Sequence, residues 1–343
     1  MKIVHAVCTD AFAGVERHIA MLAVAQADAG HEVVVIGGHA ATMRAVLDRP
    51  DIRHVAAASV WDVSRALDRF ADAHVFNVHM TSAEVAAALA WRSRAVPVVS
   101  TRHFAANRGQ SSRLAGVVAR WAAGRISAQI AVSRFVAAHI EGPATVVVSG
   151  VLEQVEPTPR AGSPARRPRV LVAQRLEPEK RTADAVRCFA ASGLGARGWS
   201  LEVAGDGQEK RRLERLADEL GVSEAVTFLG HRNDIEDLMA RSAILLAPRP
   251  DEALGLTVLE AMSHGLPVLA ARGGGHLETI CSAAPELCYP VGGLAEAASL
   301  LSDLAGDAAR RDTLGKRLRA VQVRDFSVAA QATATEAVYR SVQ

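Results

Sequence analysis

The chain has no Cys-x-x-Cys pair, no excess of either charge and no apolar run long enough to span a bilayer. Each absence removes a class of protein. The four cysteines, Cys8, Cys188, Cys281 and Cys288, lack the neighbouring histidines that would suit zinc, and they read as buried thiols of a reducing compartment. With 39 basic residues against 37 acidic ones the net charge is +2. That does not supply the concentrated basic face a nucleic-acid backbone requires, so nucleic acid is not expected as a partner. Nothing approaches the roughly 18 apolar residues of a membrane span. The opening MKIVHAVC is apolar over too few residues for a signal peptide and reads as a first buried strand. A cytoplasmic location is expected. Arg113, Arg120 and Arg125 near Trp121 in a helical stretch leave room for a peripheral contact at the inner membrane surface.

Several catalytic signatures are also missing. No G-x-G-x-x-G follows a strand with an acidic residue in place: Gly205-Asp206-Gly207 lacks the third glycine, and Gly273-Gly274-Gly275 does not fit the spacing. There is no G-x-x-x-x-G-K-S/T loop and no nucleophile elbow. No Asp-x-Asp pair occurs, so a metal held between two carboxylates and a diphosphate is not expected.

What remains is a chain of 343 residues, half of them apolar, enough for two ordinary cores. Strand-like runs alternate with alanine-rich helical ones in the rhythm of a doubly wound parallel sheet: KIVHAVC, HEVVVIGG, HVFNVH, PVVSTRH, AQIAVS and TVVVSG. Their ends place Gly14, His79, His103, Ser133 and Gly150 as candidates for one cleft rim. His31, His54 and His139 read instead as surface or satisfied structural histidines. Residues 155–168 are rich in proline and arginine without an apolar period and read as a linker. Residues 1–154 form the first domain. Beyond the linker the alternation restarts with RVLVAQRL, WSLEVAG, AVTFLG, AILLAP and PVLAA, giving a second domain over 169–325, followed by a last helical segment, 326–343, that could cross back to the first.

The second domain carries the densest chemistry. Glu252 and Glu260 bracket a glycine turn at Gly255 and the start of a short helix ended by Gly265 and Pro267. Arg175 closes the first strand of the domain and Lys180 precedes a helix, so the pair could place two positive charges on a diphosphate. Gly205 and Gly207 end the next strand, where a ligand can approach the backbone, and Gly273-Gly274-Gly275 ends a later one.

In order, QRLEPEK, GDGQE, FLGHRND, EALGLTVLEAMSHGLPVLA and GGHLE resemble the donor-binding domain of the retaining GT-B glycosyltransferases, the glycogen-synthase-like and mannosyltransferase-related group of family 4 with its Glu-x7-Glu motif. The resemblance extends more weakly to AGVERHIAMLAVAQADAGHEVVVI and the STRH strand end. It implies an α/β GT-B fold, two Rossmann-like doubly wound domains facing a central cleft, and metal-independent transfer of a sugar from a nucleotide-sugar donor to an acceptor with retention. No cofactor or metal is implied. By matching position, Arg175 and Lys180 would hold the donor diphosphate and Glu260 the ribose. Glu252 would meet the transferred sugar, aided by the backbone of Ala253, Leu254, Gly255 and Leu256. Gly14 would shape the acceptor and phosphate side, and His103 would meet the donor sugar from the facing domain. The chain departs from the family pattern at Ala13 and Gln174, where glycine is usual, at Leu254, where phenylalanine is common, and at Ser149, where asparagine is. The acceptor stays open among small molecules, lipid-linked molecules and glycans. A nucleotide-sugar epimerase, a sugar phosphorylase or a non-catalytic nucleotide-sugar-binding module on the same frame are the alternatives.

Overall fold

The structure, a computed structural model, describes residues 1–110, 112–154 and 166–343. It forms two compact units, Met1–Gly150 together with Ser327–Gln343, and Val151–Phe326. Most of the expected linker, residues 155–165, lies outside the described residues.

The first unit is built on a seven-stranded sheet: β1 (Lys2–Val7), β2 (Glu32–Ile36), β3 (Ile52–Val55), β4 (Val75–His79), β5 (Val98–Arg102), β6 (Ala128–Ala131) and β7 (Thr145–Val146). Their order is β3-β2-β1-β4-β5-β6-β7 and every pairing is parallel. Ile3–Val7, apolar but for His5, and Val33–Ile36 are buried on both faces, as the strands of a helix-covered parallel sheet should be. β3 was not expected from sequence. Its IRHV is half polar because it is the edge strand, so no apolar run announces it. The expected strand over 145–150 contracts to two residues at the other edge.

The second unit repeats the scheme with β8 (Arg169–Ala173), β9 (Ser200–Ala204), β10 (Val226–Gly230), β11 (Ile244–Ala247), β12 (Val268–Ala271) and β13 (Cys288–Tyr289) in the order β10-β9-β8-β11-β12-β13, again wholly parallel. Counted from its own first strand, each sheet runs 3-2-1-4-5-6, with a seventh strand added at the end of the first, so the winding reverses between the first and fourth strands. Parallel sheets bind ligands at the carboxyl ends of the strands flanking such a reversal.

The C-terminal helix Val328–Ser341 belongs to the first unit. Val338 and Tyr339 close a cluster with Ile3, Val75, Val99, Ile130 and Val147, and the Tyr339 hydroxyl accepts the Asn77 Nδ2 donor at 2.7 Å. The expectation of four thiols is corrected at two of them. Cys281 and Cys288 form a disulfide across a Cα separation of 5.7 Å, which suits a bridge. The helix Ile280–Ala283 and the start of β13 bring them together, a contact that spacing alone does not disclose. The compartment reading loses that support. Cys8 and Cys188 remain thiols, with burial pushing them up to about 11 and about 12.

Tyr339→Ala should cost the first unit about 3–5 kcal/mol by opening a cavity. Tyr339→Phe, which keeps the ring and strands the Asn77 donor, should cost about 1–3 kcal/mol. Urea midpoints with an unchanged slope would report both.

Candidate functional site

In the second unit the winding reverses between β8 and β11, and the chain leaving each strand delivers an opposite charge. β8 leads through Arg175 to Lys180, and β11 leads through Arg249 to Glu252. Lys180 Nζ donates to Glu252 Oε2 at 2.9 Å, with side-chain exposures of 16% and 22%. Arg249 stands 3.8 Å from the same oxygen. Arg175 is not on the pair: its guanidinium donates to Glu179 at 3.1 Å and is 64% exposed. The structure therefore brings Lys180 to Glu252 and leaves Arg175 at the mouth of the same loop.

Backbone conformation around the pair is tightly constrained. At Gly205, after β9, a Cβ would stand 1.9 Å from the Gln174 carbonyl oxygen, so the two strand ends approach too closely for any side chain. Gly207 follows at a φ of +156°. Gly275 donates its N–H to the Glu252 carbonyl at 2.7 Å, and a Cβ there would meet Leu254 Cα at 2.3 Å. Ala253 and the buried Leu254 are thus held from behind by the Gly273–Gly275 turn. Gly255, at a φ of +91°, opens the helix Leu256–Ser263 without a side-chain cap, and the first N–H groups of that helix are available for an anion. Glu260 lies in the same helix, half-buried.

In the first unit the reversal falls between β1 and β4, and histidines collect there. His5 on β1, His79 at the end of β4 and His103 just after β5 form a row, with ring nitrogens 3.1 Å apart between His5 and His79 and 2.9 Å apart between His79 and His103. His18, from the helix Gly14–Asp28, stands edge-on to His103 with centroids 4.7 Å apart. Nitrogens of His18, His79 and His103 all lie within 4.8 Å of one another, a spacing at which imidazoles could hold a metal ion. Gly14 is the first residue of its helix, whose end is closed by the Glu16 carboxylate accepting the Ala13 N–H at 2.8 Å. A phosphate at that end would meet this carboxylate. Ser133 caps a short helix by accepting the Val136 N–H, and Gly150 donates its N–H to Gln331.

Two family models match in series: Glycosyltransferase Family 4 over residues 12–149 and Glycosyl transferases group 1 over residues 156–321. The chain belongs to the GT-B glycosyltransferases of the family 4 type. Among curated relatives, it is 45% identical over 78 residues to the lipopolysaccharide glucosyltransferase WaaG of Escherichia coli K12, covering 22% of this chain and 21% of that one. It is 29% identical over 165 residues to the N-acetyl-alpha-D-glucosaminyl L-malate synthase of Bacillus anthracis, covering 48% and 42%. The matches thus span less than half of these relatives. The crystal structure of Anabaena HepE in complex with UDP-glucose shares the fold at a TM-score of 0.79 and 20% identity, over 99% of this chain and 100% of that one.

Sequence reasoning missed four groups near these glutamates and histidines, among them His18 of the helix Gly14–Asp28. Arg249 sat in APRPDE with nothing to separate it from a solvated arginine. His276 stood in GGHLE: it is buried, and its ring donates from Nδ1 to the Ala271 carbonyl at 2.9 Å, which directs Nε2 toward Gly255. His5 was hidden as the one polar residue inside an apolar strand. Backbone strain also marks both places. Among the described residues, only Met80 and Arg181 are non-glycine residues at positive φ, 71° and 54°. Each directly follows a residue just described, His79 and Lys180, and strain of this kind gathers at functional sites.

Burial pushes the Glu252 carboxyl up, but the Lys180 ammonium and Arg249 outweigh it and hold the group below the usual carboxylate range. Burial also lowers His276, which is neutral at neutral pH. Because the folded-state value of Glu252 is depressed, its contribution to stability is present above the ordinary value of 4.5 and is lost as pH falls through the folded one. Lys180→Met should therefore destabilise the glycosyltransferase more at pH 7 than at pH 3, as read by paired denaturant titrations. An equal difference at both would refute the pairing.

Proposed function

We propose that this glycosyltransferase transfers a sugar from a nucleotide-sugar donor to an acceptor hydroxyl with retention of anomeric configuration and without a metal. One observation carries the reading: a half-buried lysine and glutamate in contact at the winding reversal, beside a helix N-terminus whose first N–H groups lack a side-chain cap. A nucleoside diphosphate needs cations and N–H donors at that place, and a transferred sugar needs a carboxylate.

In this reading the diphosphate takes the Lys180 ammonium and draws Arg175 from Glu179. Glu252, released from Lys180, holds hydroxyls of the transferred sugar, and Glu260 holds the ribose. The bond from the anomeric carbon to the diphosphate breaks and the bond to the acceptor oxygen forms on the same face. The acceptor proton passes to the departing phosphate oxygen, so no side-chain base is required. Protein cations replace a metal in neutralising the leaving group. The relatives named above, a lipopolysaccharide glucosyltransferase and an N-acetyl-alpha-D-glucosaminyl L-malate synthase, support the donor class, and the HepE complex makes UDP-glucose the first donor to test. The acceptor is assigned to the first unit, where Gly14 and His103 lie.

A peripheral contact with anionic lipid is supported by the helix Arg113–Ala123. Leu114, Val117 and Trp121 project at three- and four-residue spacing and are 73%, 53% and 55% exposed, and Arg113 and Arg120 flank them in a helix with no acidic residue. Arg125, expected on that face, is not: its guanidinium donates to the backbone carbonyls of Val96 and Ser93.

Glu252→Gln and Arg175→Ala should each lower turnover at least about tenfold with the fold intact, and chelator should leave turnover unchanged. Wild-type rates in both variants would refute the assignment of the site, and chelator-sensitive rates would refute the metal-free mechanism. Leu114→Glu with Trp121→Glu should abolish sedimentation with vesicles containing phosphatidylglycerol and leave transfer to a soluble acceptor unaltered.

A further inference from the structure

We infer that His18, His79 and His103 form a three-imidazole site for a divalent transition-metal ion of the zinc type, and that an ion seated there withdraws His103 from the sugar and acceptor side of the reaction.

Three elements of the first unit bring the rings together: His18 comes from the helix Gly14–Asp28, His79 from the end of β4 and His103 from just beyond β5. Each offers a ring nitrogen within 4.8 Å of the other two. His79 Nδ1 and His103 Nε2 face each other at 2.9 Å, and the ring centroids stand 5.2 Å apart for that pair, 5.9 Å for His18 and His79, and 4.7 Å for His18 and His103. Imidazole nitrogens bound tetrahedrally to zinc at about 2.0–2.1 Å lie about 3.3 Å from one another, with centroids about 5 Å apart. Ring rotations and shifts of about 1.5 Å or less therefore close the three nitrogens on one ion.

The surroundings suit such a site. His79 Nε2 meets His5 Nδ1 at 3.1 Å, and His5 Nε2 meets Gln26 Oε1 at 2.7 Å. With an ion on Nδ1 the His79 proton stands on Nε2, His5 accepts it, and the His5 proton goes to the Gln26 oxygen. His18 is held by Ser149 Oγ at 3.1 Å and by Gln331 Nε2 at 3.2 Å. One of these bonds gives way to the ion and the other keeps the ring in place. Partners of this kind orient metal-bound imidazoles and set their tautomers.

His18 and His79 are buried and His103 is half-buried, so the site has one open side, by which an ion enters and at which water or an anion completes its coordination. Burial keeps all three rings neutral, and an incoming ion meets lone pairs without having to displace protons. A set made only of nitrogens suits zinc, copper or nickel, whereas magnesium and calcium take oxygen. The ion has no part in the proposed reaction, so transfer by metal-free protein keeps its insensitivity to chelator. Resting on that reading, zinc should act as an inhibitor, because it holds His103 away from sugar and acceptor hydroxyls.

The test begins with full-length protein stripped by chelator, desalted and titrated with Zn2+ alone. One equivalent should bind, unopposed by Mg2+. In crystals of the zinc-loaded protein the anomalous peak should lie about 2.0–2.1 Å from a nitrogen of each of the three histidines. His18→Gln should weaken zinc binding at least about a hundredfold and Gln26→Leu about tenfold, while His139→Gln, an exposed histidine elsewhere in the unit, should leave it unaltered. Transfer from UDP-glucose should fall as zinc fills the site, and the inhibiting concentration should rise in His18→Gln by the same factor as the dissociation constant. No uptake of zinc, a peak away from these rings, or full affinity in folded His18→Gln would overturn the site. Undiminished transfer with the site filled would overturn the effect on His103. If His18→Gln does not fold, the wild-type anomalous peak decides. Binding needs no turnover, so an absence of any transfer would count against the proposed function, and the titration would still judge the metal site.

Discussion

The constraint on which both units depend is the reversal of winding beside the first strand of each parallel sheet. Parallel strands send all their carboxyl ends to one edge, and where the helices change face two neighbouring loops part and leave room between them. In the second unit those loops follow β8 and β11, and they carry Lys180 and Glu252 into contact. In the first unit β1 and β4 flank the reversal, with Val7 in register with His79, and the buried histidines follow. Two unlike sets of side chains thus occupy the same address in two copies of one topology.

Charge at the two addresses is handled in opposite ways. Around Glu252 the groups are ionised, and Lys180 and Arg249 more than offset the cost of burying a carboxylate. Such a cluster sets two cations against one carboxylate, and on the proposed reading the cations would meet a diphosphate and the carboxylate a sugar. The histidines of the first unit are deeper, have no carboxylate among their hydrogen-bonding partners, and stay neutral because nothing nearby repays their desolvation. Neutral rings can still be ordered, since each one's proton must point at the next one's lone pair.

Much of this was legible in the residues. Unbroken runs such as EVVVI and ILLA can only be strands buried on both faces, and Gly265 with Pro267 can only end the helix before β12, so the alternation and the second unit's strand ends followed from local chemistry. Glu252 and Lys180 were legible as candidates because both fall just beyond strand ends. Their contact across 72 positions of sequence was not. Nearness in sequence put Arg175 beside Lys180 on paper, whereas in space it points to Glu179. The edge strand β3 escaped because an edge needs no apolar face. The disulfide escaped because pairing is a property of the assembled turn. His5 and His18 escaped because a histidine in an apolar stretch looks like packing until its neighbours are known. The same holds for Glu84, a lone acid in an alanine-rich helix that is buried against Arg108.

The central claim is that the diphosphate of a nucleotide sugar is held where Lys180 now meets Glu252. A crystal structure of the protein with UDP tests it most directly. The account requires the diphosphate within hydrogen-bond reach of Lys180 Nζ and Arg175, at the N-terminus of the helix Leu256–Ser263, with the ribose on Glu260 and the Lys180–Glu252 contact opened or shared. UDP bound elsewhere in the unit, with Lys180 still closed on Glu252, would contradict it.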